Sequence, residues 1–305
     1  MTYAFLVFWI ISAIFIILER KIVRLIIHLG IFSLISSGCF LLFAAPDVAM
    51  AQVVVSAFST IIFIVAFEKY YSLTDHHKAP PPKPVNIKQF LPLCFTVMLA
   101  ALFILFIPGD AVDTTLKDQY LAQFRYDVGG ENAVTAIYMG YRMYDTLFEA
   151  LLLLISIVAV VHLSWHKDMF VSHGQPSVIR DSNIAGFTIR LISPLLILVS
   201  VYLVMNGHIS PGGGFQGGVV VAAFFVCRYM IHDIYDIPVD KIILLEKFLY
   251  TGIIFVAIFF VFIGAEAYLP ISQTMYLVTM NILIGMKVAC GFFVVFYRFI
   301  VLERR

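Results

Sequence analysis

Long apolar runs broken by short polar clusters make up almost the whole chain. A helix crossing a bilayer needs roughly 20 apolar residues. Nine stretches approach that length: 2–18, 25–44, 46–67, 90–107, 147–163, 187–206, 215–232, 243–265 and 277–299. The shorter ones fit by tilt or by packing against neighbouring protein. The pattern predicts an all-α, polytopic membrane protein of about nine transmembrane helices. Two polar connections look like joints. "TDHHKAPPPKPVNIKQ", 74–89, is proline-rich and lysine-bearing, a semi-rigid spacer. "WHKDMFVSHGQPSVIRDSN" lies within the second joint, 165–184. They divide the chain into a three-helix module (1–73), a two-helix module (90–164) and a four-helix module (185–305). A long connection inside the middle module, 108–146, carries the acids Asp110, Asp113, Asp118, Asp127, Glu131 and Asp145.

An odd number of crossings puts the termini on opposite sides, and the Lys/Arg bias chooses between them. One set of connections, with the C-terminal end, carries fifteen Lys and Arg residues, from Arg20, Lys21 and Arg24 through Lys241 and Lys247 to Arg304 and Arg305. The other carries three, Lys117, Arg125 and Arg142. The N-terminus is therefore expected outside, the C-terminus in the cytoplasm and the connection 108–146 on the outer face.

Composition agrees. The chain of 305 residues is 62% hydrophobic and 13% charged, with mean hydropathy +0.98, whereas soluble domains are about 25% charged. The first apolar run lacks an early small-residue cleavage site and reads as a retained helix. A net charge of +1 gives no basic face for nucleic acid. Cys39, Cys94, Cys227 and Cys290 fall inside apolar runs without metal-ligand spacing. They read as small hydrophobes with no metal or redox role. Neither an iron–sulfur cysteine cluster nor a nucleotide loop is present, so no cofactor and no enzymatic chemistry are expected.

Ionisable side chains inside spans are costly and are functional candidates by default. Lys287, in "NILIGMKVACGFF", lies about ten residues from the outer end of the last span, too deep to snorkel easily. Proton or ion transfer and a structural ion pair both remain open for it. Asp145 and Glu149, in "YDTLFEALLLL", stand at i and i+4 on one helix face. Capping suits Asp145 at the helix start, and a proton-exchanging role suits Glu149 one turn deeper. Asp47 follows Pro46 in "AAPDVAMAQ", which suits a helix N-terminus, and on residues alone the cap reading is favoured. Arg190, His28 and His162 lie near the inner edge and read as interfacial; Glu266 ends a span at the outer face, and His76 and His77 read as solvated linker residues.

One segment breaks the pattern. "NGHISPGGGFQGG", 206–218, opens the seventh span with six glycines and a proline. Glycine permits positive φ and close backbone approach, and irregular backbone at membrane depth is tolerated only where it is buried or lines water. Free amides at the start of a helix make a potential anion or water site, beside which His208 is a candidate proton-handling side chain. The competing reading, favoured on physical grounds, is a tight loop packed against a partner subunit and built on Pro211, Gly212, Gly213, Gly214, Gly217 and Gly218.

That glycine block resembles the signature of the B subunit of Mrp-type (multiple resistance and pH) sodium/proton antiporters. "NILIGMKVACGFF" resembles the last-helix pattern of the same family. "APDVAMAQVVVSAFSTIIFIVAFEKYY" is similar to the MbhD component of membrane-bound hydrogenases. "GGENAVTAIYMGYRMYDTLFEALLLL" is similar to the MbhE component, with Phe148 where a glycine often precedes that family's glutamate. Both also resemble the tail of the large MrpA protein. The resemblance implies a fusion in the order MbhD, MbhE, MrpB in a cell (inner) membrane, with large antiporter-like subunits and a small C-type subunit as partners and Na+ and H+ as cargo. It places Asp47 and Glu149 on acidic positions of family motifs, beside a lateral ion path. Two other roles stay open: a membrane arm of a redox complex of membrane-bound hydrogenase or formate hydrogenlyase type, and a structural scaffold that moves no ions.

Overall fold

A computed structural model describes residues 2–19, 21–71, 90–105, 114–163, 183–231, 238–262 and 273–300. Among them every regular element is a helix: α1 (Thr2–Leu18), α2 (Ile22–Leu42), α3 (Pro46–Tyr71), α4 (Phe90–Leu105), α5 (Thr115–Asp127), the one-turn α6 (Ala133–Ala136), a π-helical turn (Ile137–Tyr141), α7 (Met143–Leu163), α8 (Asn183–Asn206), α9 (Gly214–Ile231), α10 (Val239–Phe262) and α11 (Gln273–Ile300). Six of these are long and apolar enough to cross a membrane, with α1 and α9 apolar but shorter. The chain is a multi-pass membrane protein. Proline-rich 74–89, with His76 and His77, the 165–182 part of the second joint, and Glu266 lie outside the described residues.

The centre of the molecule is α11. In its most apolar stretch 56% of residues are buried, against 28% or less in the other long helices. Helices α9 and α10 pack along it, and α7, α8 and α3 also touch it. Phe58 of α3 meets Phe292 of α11 edge to face at 5.0 Å, which ties the first module to the last. Within the first module, Trp9 Nε1 donates to Ser36 Oγ (2.7 Å) and Ser37 Oγ donates to the Ala49 carbonyl (2.9 Å). Both bonds satisfy polar groups that lipid would leave unpaired.

The glycines after the loop explain the closest packing. Gly214 and Gly218, four residues apart on α9, press against Asn281 and Gly285, four apart on α11. A side chain at Gly214 would strike the Asn281 carbonyl, and one at Gly218 would come within 2.8 Å of Val288. Gly217 faces the other way, where Ser200 Oγ of α8 donates to its carbonyl (3.0 Å). Small residues at every fourth position let helices approach without a hydrophobic driving force.

The long connection inside the middle module is more structured than its polarity suggests. Residues 115–127 and 133–141 are helical. Asn132 caps α6 by accepting from Val134 N and Thr135 N. The π turn lets Arg142 N reach back to Ile137 O (2.8 Å), and the Tyr138 carbonyl is taken by the Thr146 hydroxyl. Tyr276 OH of α11 donates to the Met139 carbonyl (3.0 Å), so the turn is held against the central helix. π turns of this kind concentrate at functional sites.

Candidate functional site

A cavity of about 360 Å³ lies where the three modules meet. The first module supplies Asp47 from the start of α3, the middle one Tyr138 and Glu149, and the last one Gln216 and Lys287. Its remaining wall is mostly apolar. Val48 and Val134, both lining it, stand 47% and 45% exposed, and Glu149 is exposed beside them, so the cavity opens on the outside of the bundle.

The glycine loop forms one end of this site, and the anion it accommodates is part of the chain. Asp47 Oδ1 accepts from Gly212 N (3.2 Å) and from Asn132 Nδ2 (3.0 Å). The φ values of Gly212 (134°) and Gly213 (154°) belong to the region that favours glycine, and this conformation presents the Gly212 amide to the carboxylate. Gly214 N, first in α9, donates to Asn281 Oδ1 (2.8 Å). The loop expected to pack against a partner subunit packs here against its own chain, and the Asp47 carboxylate accepts from its Gly212 amide. Asp47 lies in the first turn of α3, and the bonds its side chain makes are the long-range ones to Asn132 and Gly212.

Asn132 is the hinge point of these contacts. Besides Asp47, its Nδ2 reaches the carbonyls of Ser210 (3.1 Å) and Gly207 (3.4 Å). The amides of Glu131 and Asn132 both donate to the His208 carbonyl (2.8 and 3.0 Å), and Thr135 Oγ1 donates to Gly207 O (2.6 Å). So "ENAV" of the middle module clasps "NGHIS" of the last while holding the acid of the first. Asn132→Ala removes the cap and the shared donor together. Since each buried partner left unsatisfied costs about 1–3 kcal/mol, the variant is expected to lower the melting temperature of the purified protein. An unchanged melting temperature would mean that the clasp contributes nothing to stability.

Lys287 stands midway along α11, 14 residues from Gln273 and 13 from Ile300. Its ammonium pairs with Glu246 Oε1 of α10 at 2.5 Å, with both residues 0% exposed. The Tyr250 ring lies 5.7 Å from the Nζ. The remaining oxygen of this acid, Oε2, is buried and has no hydrogen-bond partner among the described residues. Sequence reasoning does not single out Glu246. Its neighbours Asp240, Lys241 and Lys247 mark a helix end, but α10 starts at Val239, two turns before it.

Other candidates fall elsewhere. Asp145 forms an exposed ion pair with Arg142 at 2.5 Å and does not line the cavity. Although it precedes Glu149 by one helical turn, only Glu149 lines the cavity. His208 Nδ1 is buried without a partner among the described residues, and so is His28 Nδ1. Arg190 is exposed on α8. Asn281 and Tyr138, which the sequence pattern does not mark, frame the loop. A side chain at Gly213 would lie 2.7 Å from Tyr138 OH and 3.3 Å from Asn281 Oδ1. The four cysteines are free thiols, and no group of three or more metal-ligating side chains occurs among the described residues.

Comparison with known proteins places two domains on this frame. Residues 184–294 match a domain related to the MnhB subunit of Na+/H+ antiporter, and residues 7–71 match the MbhD family of the MBH complex. Proteins named antiporter subunit mnhA2 are similar over half the chain. The one from Staphylococcus haemolyticus is 30% identical over 149 residues (49% of this chain, 18% of that protein). The one from Staphylococcus aureus (strain MRSA252) is 28% identical over 152 residues (49% and 18%). The chain thus spans about a fifth of the length of these curated relatives. In structure it resembles a chain of the Mrp complex from Dietzia sp. DQ12-45-1b, with TM-score 0.73 and 17% identity over 99% of this chain and 35% of that one. It also resembles a chain of the membrane-bound sulfane sulfur reductase (MBS), an archaeal respiratory membrane complex, with TM-score 0.58 and 24% identity over 69% and 97%. At such identities the likeness is one of fold. An MbhD match followed by an MnhB-related match fits the first and last parts of the fused order read from the sequence.

Proposed function

We propose, from the two domains and the cavity between them, that this chain is a membrane subunit of a multi-subunit Mrp-type Na+/H+ antiporter complex. The cavity lies on its proton or cation path. Its role is transport rather than catalysis, and its partners are large antiporter-like subunits and a small C-type subunit. The observation that carries this reading is the convergence of Asp47, Glu149 and Lys287, from three modules, on one cavity. Acids and a base kept inside an apolar slab make sense as ion-handling groups. Asp47, already bonded by Gly212 and Asn132, is the more constrained acid, and Glu149 the freer one. Asp145 and His208 do not line the cavity.

The reading is tested on the assembled complex in inverted membrane vesicles. Glu149→Gln is expected to reduce Na+-driven proton movement to near background while the subunits still co-purify. Normal antiport across the pH range in that variant would remove Glu149 from the path.

The accompanying topology has nine crossings, α1–α4 and α7–α11, with the N-terminus outside and the C-terminus cytoplasmic. It is supported by fifteen Lys and Arg on one set of connections against three on the other. A cysteine at Asp118, on α5, is expected to react with an impermeant maleimide added to intact cells. One at Lys241, at the start of α10, is expected to stay protected, and the reverse pattern would invert the protein.

A second reading has a specific basis: the MbhD domain and the fold shared with a respiratory membrane complex. In that case the same helices belong to a redox-coupled arm. Co-purification with iron–sulfur and nickel–iron subunits would favour it over a stand-alone antiporter.

A further inference from the structure

We propose that Glu246 is a positioning residue for Lys287: a fixed anion, set back from the cavity, that keeps the ammonium at the cavity wall and receives it again after Lys287 has turned toward Glu149. This rests on the cavity being part of an antiport path. The pair is asymmetric. Lys287 lines the cavity and Glu246 does not, although both are 0% exposed and 2.5 Å apart. The pair is also incompletely bonded. An ammonium has three donors, of which Glu246 Oε1 takes one, and Glu246 Oε2 has no partner among the described residues.

A buried bridge serving stability alone recovers its desolvation cost only when its remaining hydrogen bonds are filled. Here the unfilled capacity sits on the side chain of a residue that lines the cavity and on the acid behind it. Lysine carries its charge on a flexible four-carbon stem, so the ammonium can reorient while α10 and α11 stay packed. Tyr250 from α10 and Cys290 on its own helix lie beside it, and the cavity that Lys287 lines is shared with Glu149 from α7, Asp47 from α3 and Tyr138 from the π turn. Glu149 is the acid among these without a hydrogen-bond clamp like that on Asp47.

The experiment separates a positioned charge from a structural bridge. Two double variants are made in the complete complex: the swap Glu246→Lys with Lys287→Glu, and the apolar pair Glu246→Leu with Lys287→Met. Each removes the ammonium from the cavity side without leaving a lone buried charge. Both are expected to assemble at parental level and to lose antiport, down to the signal of vesicles lacking the complex. A structural bridge predicts the opposite, and antiport retained in either assembled variant overturns the proposal. If the swap fails to assemble, the apolar pair decides, because well-packed apolar replacements of buried ion pairs are commonly tolerated. The parental complex serves as the control: no antiport there would sink the functional reading itself, whereas parental antiport with active double variants sinks the role of the Glu246–Lys287 pair, Lys287 on the path included, and leaves membership of an antiporter complex standing.

Discussion

Replacing Lys287 alone by methionine is expected to destabilise the protein by about 3–5 kcal/mol, the usual cost of stranding one partner of a buried ion pair. Glu246 would remain 0% exposed on α10 without the ammonium it pairs with. Marginally stable proteins have only about 5–15 kcal/mol in hand, so the variant should fall sharply in melting temperature and in membrane abundance. Fluorescence-monitored unfolding of the purified protein against the parent gives the comparison. A melting temperature equal to the parent's would show that Glu246 takes up a proton there at little cost, and that the pair is not a structural necessity. The effect belongs to the packing around α11, and it comes before any effect on transport.

Gly214→Ala is expected to be nearly as damaging. Its new methyl group would collide with the backbone carbonyl of Asn281, which cannot rotate aside as a side chain could. Overfilled sites cost about 1–3 kcal/mol, occasionally more, and here α9 would have to move away from α11. Such a shift would also disturb the bond from Gly214 N to Asn281 Oδ1 and the loop that holds Asp47. Gly252→Ala is the matched control. Its nearest neighbour, Leu283 Cδ2, would be 3.9 Å away, and glycine inside a helix is about 1 kcal/mol worse than alanine, so that change should be neutral or mildly stabilising. Equal melting temperatures for the two variants would refute the packing argument.

Much of this was legible in the sequence because lipid imposes one simple rule, that spans be long, apolar and helical. Lys287 stood out for the same reason: no other charge occurs in "NILIGMKVACGFF". Glu246 was camouflaged by Lys247 and by Asp240 and Lys241, which mark an interface, and only the early start of α10 shows how deep it lies. Asn132 could not be found from spacing at all. Its bond to Asp47 spans 85 positions and those to Gly207 and Ser210 span 75 and 78, whereas periodicity reports neighbours within one helix. "ENAV" offered a familial likeness and no geometry. Helix α5 was hidden by its polarity, with Thr114 Oγ1 donating to Asp118 Oδ2 (2.9 Å) at its start. The glycine run announced a break in the helix, but not that a carboxylate from the first module would fill it.

The exposed side of Glu149 has a last implication. A carboxylate facing acyl chains would be stranded in hydrocarbon, and the valines around it, Val48 and Val134, are also uncovered. On the proposed function, this open surface is a trench rather than a tube, closed by another polypeptide. Expressed by itself, the chain should therefore be leak-proof but inert. Under that reading transport requires a neighbour that roofs the trench, and the place to search for it by crosslinking is the rim around Val48 and Val134.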